Sequence, residues 1–139
     1  MNISIVYWSG TGNTEAMAIA VAAGAEAAGA EVKVLDVSSA DESVLTADAI
    51  LFGCPAMGAE ELENSEFLPF FERVEDQLKG KKIGLFGSYG WGGGEWMRLW
   101  QERAEADGAV LIADGVICEG ALGTEAEAAC RELGKIAAL

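Results

Sequence analysis

A chain of 139 residues, 51% of them hydrophobic, is long enough for one packed core and too apolar for disorder. Asp and Glu number 23 against 9 Lys and Arg, a net charge of −14, so neither nucleic acid nor an anionic membrane is an expected partner, since both need basic patches. With no histidine, and with Cys54, Cys118 and Cys130 forming no C-x-x-C pair, the usual zinc, iron–sulfur and Ser-His or Cys-His systems are missing. No apolar stretch reaches the roughly 18 residues that span a bilayer, and the N-terminus enters a strand with no signal-type segment. The expectation is a cytoplasmic, monomeric protein with reduced thiols, one domain over residues 1–139, with no metal, whose chemistry belongs to a bound cofactor.

In chain order, the apolar run Ile3 to Trp8 predicts a first strand, and the run from Glu15 to Ala28 a helix. Met17, Ala20, Val21, Gly24 and Ala28 fall on one face of that helix. Glu31 to Val37 alternates polar and apolar, as an edge strand does. A short helix is expected near Glu42 to Leu45, a third strand over Ala49 to Cys54, and a helix from about Pro69 to Leu78. Ile83 to Gly87 reads as a fourth strand. Glu95 to Asp107 reads as a helix with Trp96, Met97, Trp100 and Ala104 turned inward. A fifth strand starts at Ala109, and Thr124 to Ala137 closes the chain as a helix with Ala129, Leu133 and Ile136 on one side. Near-continuous apolar strands alternating with helices indicate a doubly wound α/β fold: a parallel sheet with helices on both faces.

In such sheets ligands sit beyond the carboxyl ends of the strands, where the winding reverses. Three loops are expected to meet there. The first, Ser9-Gly10-Thr11-Gly12-Asn13-Thr14, has the composition of a phosphate cradle without a cation: a strand ends, small residues turn and a helix begins. Hydroxyls, an amide and free backbone N–H groups supply donors, and the glycines allow close approach. The triphosphate motif G-x-x-x-x-G-K-[ST] is absent, and Glu15 stands where the third glycine of G-x-G-x-x-G belongs. A single terminal phosphate fits; an ordinary helix N-cap at Asn13 or Thr14 is the plainer reading. The second loop, Pro55-Ala56-Met57-Gly58-Ala59-Glu60-Glu61, supplies a thioether and carboxylates. The third, Ser88-Tyr89-Gly90-Trp91-Gly92-Gly93-Gly94, presents Trp91 among glycines that offer little packing. A phosphate site flanked by two apolar side chains suits a flat ring on a phosphorylated chain, of which FMN is the simplest.

Val6-Tyr7-Trp8-Ser9-Gly10-Thr11-Gly12-Asn13-Thr14-Glu15, Gly53-Cys54-Pro55-Ala56-Met57-Gly58 and Gly87-Ser88-Tyr89-Gly90-Trp91-Gly92 together resemble the short-chain, clostridial-type flavodoxins over essentially the whole chain. The resemblance implies a five-stranded sheet of order 2-1-3-4-5, with a fifth strand from about Ala109 to Val116. It implies a low-potential one-electron carrier with non-covalent FMN, shuttling between semiquinone and hydroquinone states to serve redox enzymes with basic docking faces, ferredoxin-type partners among them. On that pattern Ser9, Thr11, Asn13 and Thr14, with the amides of a loop that includes Gly10 and Gly12, hold the phosphate. Met57 covers the inner ring face, within the segment Pro55 to Glu60, and Trp91 the outer one. Glu60 accepts from N3, the Gly58 carbonyl turns toward N5, and the backbone near Gly90 and Trp91, in the cofactor-binding segment Ser88 to Gly92, meets the N1/O2 edge. Ala59 departs from relatives that carry Asp or Ser there, which bears on the energy of the turn at Gly58.

Glu60, Glu61, Glu63, Glu66, Glu95 and Glu119 are read as an acidic rim for docking. One such acid ~10 Å from the ring contributes ~0.6 kcal/mol after screening, about 25 mV, so desolvation of the reduced ring must supply much of the lowering of its potential. Two other readings share the topology. An FMN-dependent NAD(P)H:quinone reductase needs a nicotinamide site, and a phosphoacceptor receiver domain needs an acidic residue where Cys54 stands.

Overall fold

The computed structural model describes residues 1–139. Its strands are β1 (Asn2–Tyr7), β2 (Glu31–Asp36), β3 (Ala49–Gly53), β4 (Lys82–Tyr89), β5 (Val110–Leu111) and β6 (Val116–Glu119). The helices are α1 (Asn13–Ala27), α2 (Phe67–Glu75), α3 (Glu95–Ala106) and α4 (Thr124–Ala137), and 3-10 turns cover Val37–Ser39 and Glu42–Thr46. All strand pairs are parallel and run in the order β2-β1-β3-β4-β5, as expected, with β6 also pairing β4.

The period-2 pleat splits each central strand between two cores. Val6, Ile50, Phe52, Ile83 and Leu85 pack under α2 and α3 with Phe67, Phe71, Trp96 and Trp100. Ile3, Ile5, Leu51 and Phe86 pack under α1 and α4 with Met17, Val21, Cys130 and Leu133. Both faces are covered, which is why β1, β3 and β4 read as near-continuous apolar runs. β2, at the edge, is mostly exposed: Val32 and Leu35 are half-buried, and Val34 is exposed.

Four expectations need correction. The inner face of α4 is Cys130, Leu133, Gly134 and Ala137, whereas Ala129 is exposed and Ile136 half-buried. Glycine contact turns the helix: a Cβ on Gly134 would lie 2.0 Å from the Val21 carbonyl oxygen, and one on Gly24 would lie 1.9 Å from that of Arg131. The two helices thus meet backbone to backbone, an arrangement that an apolar periodicity does not register. Ala28, expected on the inner face of α1, is exposed beyond its end.

The fifth strand is not continuous from Ala109 to Val116. Pairing with β4 stops after Ile112, whose N–H donates to the Ile83 carbonyl at 3.0 Å, and resumes at Val116. Between them Gly115 turns its N–H to Gln101 Oε1 of α3, and a Cβ there would meet Met97 Sδ at 2.4 Å. α2, finally, begins at Phe67, two residues before Pro69, because Glu63 caps it. The Glu63 carboxylate accepts the amides of Glu66 (2.9 Å), Phe67 (2.8 Å) and Ser65 (2.8 Å), and the Ser65 hydroxyl.

Candidate functional site

β1, β3 and β4 end side by side, and the chain beyond them stays paired. Trp8 N–H donates to the Gly53 carbonyl, Cys54 N–H to that of Phe86 and Ala56 N–H to that of Ser88, each at 3.0 Å. Close approach of these ends needs Gly87, where a Cβ would fall 2.1 Å from the Cys54 carbonyl oxygen. The ladder draws the three loops around a cavity of about 250 Å³, bordered by Gly10, Thr11, Asn13, Thr14, Pro55, Ala56, Met57, Ser88, Tyr89 and Gly90, with Trp8 and Gly120.

At one end stands the start of α1. Its N-cap is Gly12, at φ 97°, with no side-chain cap of its own. Ser9 takes that role: its Oγ accepts the amides of Gly12 at 3.1 Å and Glu15 at 3.2 Å. This replaces Asn13 and Thr14 as the expected caps. The amides of Gly10, Thr11, Asn13 and Thr14 have no acceptor within the chain. Thr14 is 1% exposed, and its hydroxyl shares a 2.8 Å hydrogen bond with that of Ser88. Two hydroxyls carry two protons and one bond uses one, so the pair keeps a donor to spare. Tyr7 steadies the first turn by donating to Glu15 Oε2 at 2.9 Å; burial, and then that carboxylate, push its phenol up to about 12. The loop has four free amides, spare hydroxyl protons and no cation. It suits a compact anion such as a phosphate monoester.

At the other end is a tight excursion closed by reciprocal bonds: Met57 N–H to the Glu61 carbonyl at 2.8 Å, and Glu61 N–H to the Met57 carbonyl at 2.9 Å. Inside it Gly58 has φ 51° and Glu60, a non-glycine residue, φ 56°. The Gly58 carbonyl accepts no hydrogen bond within the chain. Met57 is 39% exposed at the cavity edge. Glu60 is half-buried, and its Oε1 accepts the Glu95 amide at 3.0 Å, capping α3. A Cβ on Gly92 would lie 2.7 Å from that carboxylate, so Gly92 is where the two loops touch.

Of the other residues singled out from sequence, Ser9, Gly12, Gly58, Ala59, Glu60, Trp91 and Gly92 lie in the same loops but do not border the cavity. Trp91 is 66% exposed, while Trp96 and Trp100 are core. Glu63 leaves the acidic rim. It is 4% exposed, and although burial pushes its pKa up, the amide of Phe67 and then its other donors hold it below the usual carboxylate range. Glu61, Glu66 and Glu119 are exposed, and Glu95 pairs with Arg98.

Two lining residues escaped the sequence reading: Trp8, counted as a strand end, and Gly120, which follows the unforeseen β6 and donates to the Tyr89 carbonyl at 2.9 Å. The cysteines are free and buried; burial pushes the Cys54 thiol up, and the Cys130 thiol to about 12, so neither is a thiolate at neutral pH. No helix is long and apolar enough to cross a membrane.

Comparison with known proteins agrees with this geometry. The flavodoxin family model matches residues 5–133. The chain is 50% identical over 137 residues to a flavodoxin of Megasphaera elsdenii, covering 98% of each, and 46% identical over 134 residues to one of Clostridium beijerinckii, covering 96% of each. The solution structure of the two-electron reduced Megasphaera elsdenii flavodoxin superposes with a TM-score of 0.89 at 51% identity, over 98% of both chains.

Proposed function

The chain belongs to the flavodoxin family of FMN-binding electron carriers, and we propose that it holds FMN with the phosphate in the loop Ser9–Thr14 and the ring between Met57 and Trp91. The observation that carries this reading is the cation-free start of α1, where four amides without an intrachain acceptor close one end of the cavity. Bound FMN supplies a ring that takes up and gives up electrons one at a time, and no substrate is turned over.

The protein's own part is to bind, orient and bias. The amides of Gly10, Thr11, Asn13 and Thr14 hold the phosphate, with the Ser9, Thr11 and Asn13 side chains. Ser9 Oγ accepts two amides and still has its own proton to donate. Pro55, Ala56 and Met57 keep water from the inner ring face. The Gly58 carbonyl is free to accept a ring N–H, and glycine lets its turn reorient at little cost. Glu60 spends one oxygen on α3 and has the other for a ring N–H. The backbone of Tyr89, Gly90, Trp91 and Gly92 meets the pyrimidine edge, and Ser88 serves through Thr14. Negative charge added to a ring between apolar side chains, in a protein of net charge −14, is poorly solvated and repelled, so the carrier works at low potential.

We infer one domain over residues 1–139, acting as a cytoplasmic monomer, with Glu60, Glu61, Glu66, Glu95 and Glu119 as the rim that meets redox partners bearing basic faces, of the ferredoxin type among others. The three buried, free thiols support a reducing compartment. The phosphate assignment is tested with Thr11→Ala, whose hydroxyl lies in the exposed part of the loop. Loss of one hydrogen bond to a charged group should weaken FMN about tenfold and leave riboflavin, which has no phosphate, unchanged. Equal losses for both flavins would sink the assignment.

A further inference from the structure

Trp8 has no part in the reading above, yet it borders the cavity beside the phosphate loop. A Cβ on Gly10 would come within 3.0 Å of its six-membered ring, so the indole lies directly against the loop backbone. Its Nε1–H donates to Glu66 Oε1 at 3.1 Å. Glu66 is in turn fixed from below. Its amide donates to Glu63 Oε1 at 2.9 Å, and its carbonyl accepts the Phe70 amide at 3.3 Å. The buried Glu63 is tied to the end of β3, since its own amide donates to Cys54 Sγ at 3.3 Å.

We propose that Trp8 is a positioning residue for the phosphate loop, its indole held against Gly10 by the Glu66 carboxylate so that the loop amides stay convergent before the ligand arrives. The inference rests on the phosphate assignment above and deepens it. A loop with glycines at positions 10 and 12 has many conformations to lose when its amides gather on one anion. A rigid aromatic wall removes part of that cost in advance, which is the general effect of preorganisation on affinity. Gly10 is then required for contact with the indole as well as for approach to the phosphate. Glu66 can act only through Trp8, because a carboxylate facing the phosphate would repel it. The two effects separate in Glu66→Gln, whose amide carbonyl still accepts the indole N–H but carries no charge.

The test combines flavin titrations of the parent, Trp8→Phe, Glu66→Ala, Glu66→Gln and the double variant Trp8→Phe/Glu66→Ala with hydrogen exchange at the Trp8 indole in flavin-free protein. Trp8→Phe and Glu66→Ala should each weaken FMN about fivefold, the effect of one partly exposed hydrogen bond, and leave riboflavin within about twofold. The double variant should be no worse than either single one, since both break the same bond. Glu66→Gln should bind FMN at least as tightly as the parent, and the indole proton should exchange slowly in the parent and fast in Glu66→Ala. Additive losses, equal losses for both flavins, Glu66→Gln as weak as Glu66→Ala, or an unprotected indole proton in the parent would each overturn the inference. A parent protein that binds FMN no better than riboflavin would overturn the phosphate assignment instead.

Discussion

Gly24→Ala offers a severe test of the packing that fixes where α1, and with it the phosphate loop, sits. Alanine at this interior helical position would gain about 1 kcal/mol of helix propensity over glycine. Against that, the new Cβ would lie 1.9 Å from the Arg131 carbonyl oxygen, and the reciprocal contact of Gly134 with Val21 leaves no room to rotate. The obstacle is backbone on both sides, so α1 and α4 must part by about 1 Å, which forfeits a quarter to a half of the dispersion at each loosened contact. Overpacking costs about 1–3 kcal/mol, and with backbone on both sides the upper half of that range applies, leaving a net loss of about 1–2 kcal/mol. For a chain of this size each kcal/mol lowers Tm by roughly 3 °C, so a fall of about 3–6 °C is expected. The assay is thermal unfolding followed by far-ultraviolet circular dichroism at a fixed excess of FMN, because ligand shifts the midpoint by mass action. A Tm equal to or above the parent's would mean that propensity outweighs contact and that the helices are not held backbone to backbone.

Asp107 and Glu75 carry a pH prediction. Burial, and then the hydrogen bond and charge of Glu75, push the Asp107 carboxyl up to about 6, while the Arg103 guanidinium holds Glu75 below the usual range. A folded pKa above the unfolded one favours the protonated form. The stability it contributes is therefore full below the ordinary carboxylate range and is lost as pH rises through about 6. Asp107→Asn keeps the uncharged form, so its urea midpoint should exceed the parent's at pH 8 and converge with it below about pH 4. Trp91→Ala, at a largely exposed ring, should leave the unfolding free energy within about 0.5 kcal/mol of the parent yet weaken FMN and riboflavin alike, checked by denaturant unfolding and parallel titration. Electron transfer to a basic acceptor such as cytochrome c should slow steeply as ionic strength rises through the range where the Debye length falls to about 8 Å; rates indifferent to salt would remove the docking role of the rim.

Much of the architecture was legible because it follows from periodicity. The apolar runs at Ile3, Ala49 and Ile83 are buried on both sides, and Trp96, Met97, Trp100 and Ala104 face the core as their spacing requires. The three loops converge because parallel strands put their carboxyl ends on one edge. What escaped depends on tertiary contact. Gly24 and Gly134 turn α4 by what they lack, and no apolar pattern records that. The break at Gly115 follows from a side chain on another helix, Gln101, taking its amide. Glu63 looked like one more surface acid, yet its carboxylate gathers three amides and a hydroxyl, because in this chain a helix start needed an acceptor more than the surface needed a charge. Trp8 read as the last residue of an apolar strand. Its position one residue before Ser9 was the available signal that an aromatic borders the loop.

The most direct measurement is the visible spectrum of the purified protein, with FMN added, during stepwise anaerobic reduction. The account predicts a yellow protein that passes through a blue stage before bleaching, the mark of electrons taken up singly. Direct bleaching with no blue stage, or a colourless protein that ignores added FMN, would contradict it.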